Sequence, residues 1–117
     1  MRECYIIAEA GSCHDGSYDR AIELIAIARA AGADAVKFQY WSDSFALAQA
    51  RHDGGLATFY EPYRMPMAWL ARLQAEADGH GLDFLCTVYL IQDIATIAPY
   101  VSRFKIASPD ALNEPLI

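Results

Sequence analysis

Apolar positions fall into four short runs, separated by stretches of helical spacing. Tyr5-Ile6-Ile7-Ala8 is the first run, ending at Glu9 and a turn-rich stretch from Gly11 to Ser17. It predicts a buried strand and its loop. Ser17 suits the N-cap of the helix that follows, and Asp19 its first turn. Ala21, Leu24, Ile25, Ala28 and Ala31 then recur at helical spacing until Gly32, placed as a left-handed residue beyond the last turn. Ala33 to Gln39 predicts a second strand. The three elements make a βαβ unit, hence a parallel pair with a right-handed crossover.

Residues 40–65 show little periodicity and contain Gly54-Gly55 and Pro62, followed by Pro66. A connection this long in a compact domain is a functional loop or a partly ordered lid. Pro66 suits the start of a helix with the stripe Trp69, Leu70, Leu73 and Ala77, ended by Gly79-His80-Gly81. Leu82 to Thr87 predicts a third strand. Ile91, Ile94, Ala95 and Ala98 predict a short helix ending near Pro99, and Arg103 to Ser108 a fourth strand. The class is α/β and the pattern a parallel (βα)3β segment. It fits a small doubly wound sheet or half of a TIM (β/α)8 barrel. The first βα turn, Gly11 to Gly16, lacks the G-x-G-x-x-G spacing of a dinucleotide site.

Composition narrows the functions open to such a segment. At 117 residues the chain supports one domain with a modest core, and 55% hydrophobic residues argue against disorder. A net charge of −6 argues against a nucleic-acid surface. It leaves room for a small anionic ligand held by two well-placed lysines. Cys4, Cys13 and Cys86 are odd in number and widely spaced, which suits free thiols in a reducing compartment. The run from Tyr5 to Ala8 is too short for a signal or membrane segment. A cytoplasmic location is therefore expected, with no membrane partner.

Strand alternation places the candidate chemistry. Val36 and Phe38 share one face of the second strand, Lys37 and Gln39 the other; Phe104 and Ile106 likewise oppose Lys105 and Ala107. Bulky residues belong under the helices, so Lys37 and Lys105 face away from them near the C-terminal strand ends. In a barrel that is the inside of the mouth, where active sites lie. A buried lysine is costly without an anion. A bound phosphate or carboxylate satisfies both lysines, with Thr87 and Ser108 hydroxyls bonding its oxygens. The plainer alternative pairs each lysine with a carboxylate such as Glu9 or Asp110.

Glu9 reads either as a salt-bridge partner or as a general base or acceptor for a substrate hydroxyl. His14 reads as a solvated or turn-stabilising residue, with ligand contact the sharper alternative. His52 and His80 read as surface residues, and Cys86 as core packing. Tyr40, Trp41 and Tyr60 read as pocket lining or as ordinary packing.

Four segments carry a family resemblance. They are Ile6 to Gly11 with His14-Asp15-Gly16, Gly32 to Gln39, Phe84 to Thr87, and Phe104 to Ser108. In order and spacing they resemble the N-terminal part of the sialic acid synthase (N-acetylneuraminate synthase) family. The resemblance implies residues 1–117 of a (β/α)8 barrel, roughly half of the 250 residues a complete one needs. The second half and the family's antifreeze-like domain are expected to be absent. It also implies condensation of phosphoenolpyruvate with an N-acetylated aminosugar such as N-acetylmannosamine. Phosphate is released and a nine-carbon 2-keto sugar acid forms.

By resemblance Lys37, Gln39, Thr87, Lys105 and Ser108 fall at phosphoenolpyruvate-binding positions. Glu9 falls at a position contacting the sugar near its reacting end. Asp110 takes the place of an active-site glutamate, keeping the charge and shortening the reach. The family uses a divalent ion, manganese or magnesium, whose histidine ligands lie on later strands. No metal ligand is therefore expected here. Partners expected are phosphoenolpyruvate, the aminosugar and either a second copy of the chain or the rest of a longer one.

Departures from the family pattern leave the acceptor sugar open. Cys13 replaces an asparagine, Val88-Tyr89-Leu90 replaces Pro-Phe-Asp, and Pro109 stands where glycine is common. Two further readings stand beside the enzyme. One is a non-catalytic anion-binding or scaffold half-barrel; the other is an isomerase or aldolase from a different barrel family.

Overall fold

In a computed structural model that describes residues 4–117, the expected alternation is present. Strand β1 spans Ile7–Gly11, helix α1 Tyr18–Ala30 and strand β2 Ala35–Tyr40. Helices α2 (Ser44–Ala50) and α3 (Ala57–Tyr60) follow, then α4 (Leu70–Gly79) and β3 (Asp83–Val88). A short helix α5 (Ile94–Ile97) leads to β4 (Phe104–Lys105). Ser17 caps α1 by accepting from the Arg20 N–H, and Gly32 takes the left-handed φ of +79° that ends it.

All pairings are parallel, and the spatial order is β1-β2-β3-β4. This order decides between the two architectures. A doubly wound sheet reverses direction at a switch point, so its spatial order departs from its sequence order. Strands laid down sequentially through crossovers of one hand put every helix on one face, which is the winding of a (β/α)8 barrel. The fold is half of such a barrel.

The faces divide as alternation requires. Val36, Phe38, Phe84, Cys86 and Val88 pack with Ile25 of α1, Leu73 of α4 and Ile97 of α5 into the main core. In register, Glu9 lies beside Lys37 and Lys37 beside Leu85, while Gln39, Thr87 and Lys105 form the next row. These rows occupy the face turned away from the helices.

Three expectations need correction. The run Tyr5-Ile6-Ile7 is exposed rather than buried. Strand β1 starts two residues later and lies at an edge, with β2 its only described strand neighbour. The fourth strand pairs only over Phe104–Lys105, and Ser108 opens a 3-10 turn, Ser108–Asp110. The long connection is ordered by α2 and α3, with Asp43 capping α2 through hydrogen bonds from the Phe45 and Ala46 N–H groups at 2.9 and 3.0 Å.

At the N-terminal strand ends a clasp spans three strands. The Tyr5 hydroxyl donates to Asp83, and Arg103 lies 3.7 Å from Asp83 and 5.0 Å from the Tyr5 ring centre. Among the described residues no helix is long and apolar enough to cross a membrane.

Candidate functional site

The opposite, C-terminal ends of the strands gather the candidate chemistry. Lys37 is only 4% exposed. Its aligned neighbour on β3 is Leu85, yet its ammonium donates to Thr87 Oγ1 at 2.7 Å, two residues nearer the mouth. It also lies 2.8 Å from Glu9 Oε2. An ammonium has three N–H donors, so one remains beyond these two contacts. The Thr87 oxygen accepts from the lysine, leaving its own proton to donate. The plainer reading of Lys37, a local carboxylate partner, is thus realised by Glu9. Even so, the Glu9 side chain is 54% exposed while that of Lys37 is 5% exposed, so the pair is lopsided.

Glycine shapes this corner. At Gly11, φ is +56°, and a Cβ there would come within 3.0 Å of Glu9 Oε1 and 3.8 Å of the Gln39 amide. A side chain would be strained by the backbone and would press on the carboxylate that holds Lys37. At Gly16, φ is +71°, and a Cβ would meet the Pro62 carbonyl at 3.0 Å, so the first loop lies directly against the long connection.

Lys105 sits on the same inward row as Thr87, in register with it. It is exposed, as is Ser108, and neither side chain makes an ion pair or hydrogen bond with another described residue. The inner face thus presents one buried cation, a buried hydroxyl and one open cation around adjacent strand ends.

Asp110 is not paired with a lysine. It is 4% exposed and takes a two-point contact from Arg51, with Nη1 to Oδ1 at 3.0 Å and Nη2 to Oδ2 at 2.8 Å. Arg51 follows directly on α2, and its guanidinium lies 5.4 Å from the Tyr89 ring centre. Residue patterns alone miss Arg51. The available signal was Asp43, an N-cap residue that starts a short helix ending at this arginine.

Beside this pair is a cavity of about 460 Å3, lined by Gln39, Trp41, Arg51, Tyr60, Tyr63 and Tyr89, among others. Its size lies within the roughly 300–1,000 Å3 of small-molecule sites. Trp41 and Tyr60 therefore line a pocket, whereas Tyr40 packs into the core. The Trp41 ring is held by its indole N–H, which donates to Ser44 Oγ at 3.1 Å; that hydroxyl donates to Glu61 Oε2 at 2.6 Å. The Ser44 bond, with help from Arg64, keeps the Glu61 carboxyl below its ordinary value of 4.5. Burial pushes the Tyr89 phenol up to about 12, so it stays protonated and uncharged near neutral pH.

Burial likewise pushes the Cys86 thiol up to about 12, which removes it as a nucleophile and fits core packing. His14 is fully buried rather than solvated. Its Nδ1 accepts from the Gly16 N–H at 3.1 Å and its ring meets Trp69 edge-on, so it stabilises the turn. His52 is exposed, and His80 pairs with Glu76 at 3.4 Å. Among the described residues no group of three or more His, Cys, Asp or Glu side chains is arranged to hold a metal ion. The residues present therefore do not fit the divalent ion that the resemblance implies.

Comparisons with known proteins bear on the family and the fold. The family model described as the NeuB family matches residues 24–117. A pseudaminic acid synthase of Campylobacter jejuni is 31% identical over 97% of this chain and 36% of its own length. The spore coat polysaccharide biosynthesis protein SpsE of Bacillus subtilis is 35% identical over 97% of this chain and 33% of its own. The crystal structure of an N-acetylneuraminic acid (sialic acid) synthetase from Leptospira borgpetersenii superposes with a TM-score of 0.83 at 26% identity, covering 98% of this chain and 40% of that one. The chain spans about a third of the length of the curated relatives it matches.

Proposed function

The chain belongs to the NeuB family, and from that membership we propose that it carries the phosphoenolpyruvate-binding part of a synthase. The whole enzyme condenses phosphoenolpyruvate with an N-acetylated aminosugar to give a 2-keto sugar acid and free phosphate. The observation that carries this reading is Lys37: a cation 4% exposed, at the mouth of the half-barrel, with its bonds to Thr87 and Glu9 aimed along the inner face. Burying that charge is costly, and an apolar residue of similar volume would serve stability as well or better. A site for a strongly anionic ligand gives the charge a use.

On this reading Lys37, Thr87, Lys105 and Ser108 bind the phosphate and carboxylate of phosphoenolpyruvate. Lys105 is the open cation that the ligand meets first. Gln39, next to Thr87 in register, borders both this cradle and the aromatic cavity. Glu9 orients Lys37 and takes a proton or hydrogen bond from the sugar near its reacting carbon. Asp110, held by Arg51, faces the same end. The synthase works in the cytoplasm, with two copies or a longer chain completing the site.

Phosphorus NMR tests the proposal. The expected result is broadening of the phosphoenolpyruvate resonance by the chain, abolished in Lys105→Ala. An unchanged line contradicts it. Adding N-acetylmannosamine and magnesium and following inorganic phosphate in the same tube separates catalysis from a purely anion-binding module. Phosphate release rejects the module.

A further inference from the structure

Past β4 the chain is held at few points. From Ser102 to Ile117 only Asp110 and Leu116 are buried. The backbone hydrogen bonds from Ala107 to Ile117 stay within that segment. Leu116 reaches the core. From Phe104 onward, Asp110 is the one side chain that hydrogen-bonds or ion-pairs with another described residue, and it does so at two points, with Arg51. Asp110 closes the 3-10 turn that Ser108 opens, so fixing one fixes the other. Arg51 is itself anchored. It ends α2, where its backbone N–H meets the carbonyls of the buried Leu47 and Ala48. His52 then takes a left-handed φ of +58°, disfavoured for a residue with a Cβ, so the helix stops directly behind the arginine. From the end of β3, Tyr89 places its ring centre 5.4 Å from the guanidinium. A largely buried ion pair is no better for stability than apolar residues of similar volume. What it adds is geometry: a planar fork bound at two points fixes distance and direction together.

We propose that Arg51 is a positioning residue for the anion cradle: through Asp110 it holds Lys105 and Ser108 in place opposite Lys37 and Thr87. The inference rests on the reading of that cradle as a phosphoenolpyruvate site. Lys37 and Thr87 sit on six-residue strands paired along their whole length, and their side chains bond each other. Lys105 and Ser108 have only a two-residue strand behind them, so the second half of the cradle depends on an outside tie. Arg51 supplies it without touching the ligand. Its charge is matched by Asp110, so what it contributes is placement rather than attraction. The sign of one substitution separates the three roles open to the pair. Removing the Asp110 charge beside an anion site tightens binding if attraction governs. It leaves binding unchanged if the pair only stabilises the fold. It weakens binding if the pair places Lys105 and Ser108.

Two measurements on the chain decide it. Calorimetric titration with phosphoenolpyruvate compares wild type with Asp110→Ala and with Arg51→Ala combined with Asp110→Asn, the second of which leaves no charge buried alone. Both variants should bind at least fivefold more weakly. Arg51→Lys, a point charge without the fork, should fall between them and wild type. Amide nitrogen relaxation in the absence of ligand reads the placement itself. The heteronuclear NOE at Lys105 and Ser108 should drop in both variants and keep its wild-type value at Lys37 and Thr87. Unchanged or tighter phosphoenolpyruvate binding in the variants, unchanged order at Ser108, or a loss of order that extends to Thr87 overturns the inference. The relaxation measurement needs no ligand. A cradle that does not take phosphoenolpyruvate is therefore distinguishable from a tie that does not place Lys105 and Ser108.

Discussion

Lys37 and Glu9 are partners of unequal depth, and that inequality makes an unusual pair of mutants. In Lys37→Met the apolar chain replaces a buried ammonium, and the released Glu9 side chain is exposed enough to hydrate. Stability should change by no more than about 1 kcal/mol, in either direction. Glu9→Gln leaves Lys37 buried with Thr87 and a neutral amide, and should cost roughly 1–3 kcal/mol. Urea unfolding of both variants gives the comparison; a greater loss in Lys37→Met contradicts the account. His14 supplies a second test, through pH. Burial lowers its pKa from 6.5, partly offset by Asp15. Between pH 6.5 and that depressed value the unfolded chain binds a proton that the folded chain refuses. Stability therefore falls as pH falls through this window, by at most about 1.4 kcal/mol per pH unit, and His14 contributes no pH dependence above it. Unfolding midpoints at pH 7.5 and 5.5 should differ less in His14→Phe than in wild type. Equal differences would show that His14 is not the group responsible. At this scale the sequence pointed to Lys37, Thr87 and Glu9, since alternation alone assigns a lysine to a strand face. Arg51 and its pairing with Asp110 escaped because the ion pair joins positions 59 residues apart, with no local pattern linking them.

Element boundaries show what periodicity can and cannot carry. Helix α1 has 13 residues, more than three turns, and its apolar stripe and Ser17 cap were enough to place it. Helix α2 has seven, under two turns, too few for a period to show. Its formation depends on the Asp43 cap and on the Arg51–Asp110 contact at its end. Asp43→Ala removes two hydrogen bonds to otherwise unpaired N–H groups and should cost about 1 kcal/mol. The expected readout is faster amide hydrogen exchange across residues 44–51, with β2 and β3 unaffected. Unchanged exchange in α2 would mean that packing of Leu47 and Ala48 suffices without the cap. Strand β4 is shorter than its pattern for a related physical reason. Alternation continues from Arg103 to Ser108, but only Phe104 and Lys105 find ladder partners on β3. Side-chain pattern records faces, and it does not record how long a neighbouring backbone stays within hydrogen-bonding reach.

For the molecule as a whole, alternating strands and helices announced a parallel sheet, and strand order settled its kind. No residue pattern distinguishes β1-β2-β3-β4 from a switched order, because the difference lies in which backbones pair. The half-barrel leaves Tyr5 and Ile6 exposed just before β1, Ile7 exposed at its start and Phe104 exposed on β4. Such edges and their apolar side chains favour association. Light scattering during size-exclusion chromatography of the 117-residue chain should give a mass above 12.9 kDa that rises with concentration. A constant 12.9 kDa would show that the edges are adequately protected. The most direct test of the central claim is calorimetric titration of the chain with phosphoenolpyruvate, comparing wild type, Lys37→Met and Lys105→Ala. Lys105 is exposed and Lys37→Met is expected to keep the fold, so loss of binding reads the site rather than stability. The account predicts saturable binding in wild type and at least tenfold weaker binding in each variant. No binding by the wild type, or binding indifferent to both substitutions, would contradict it.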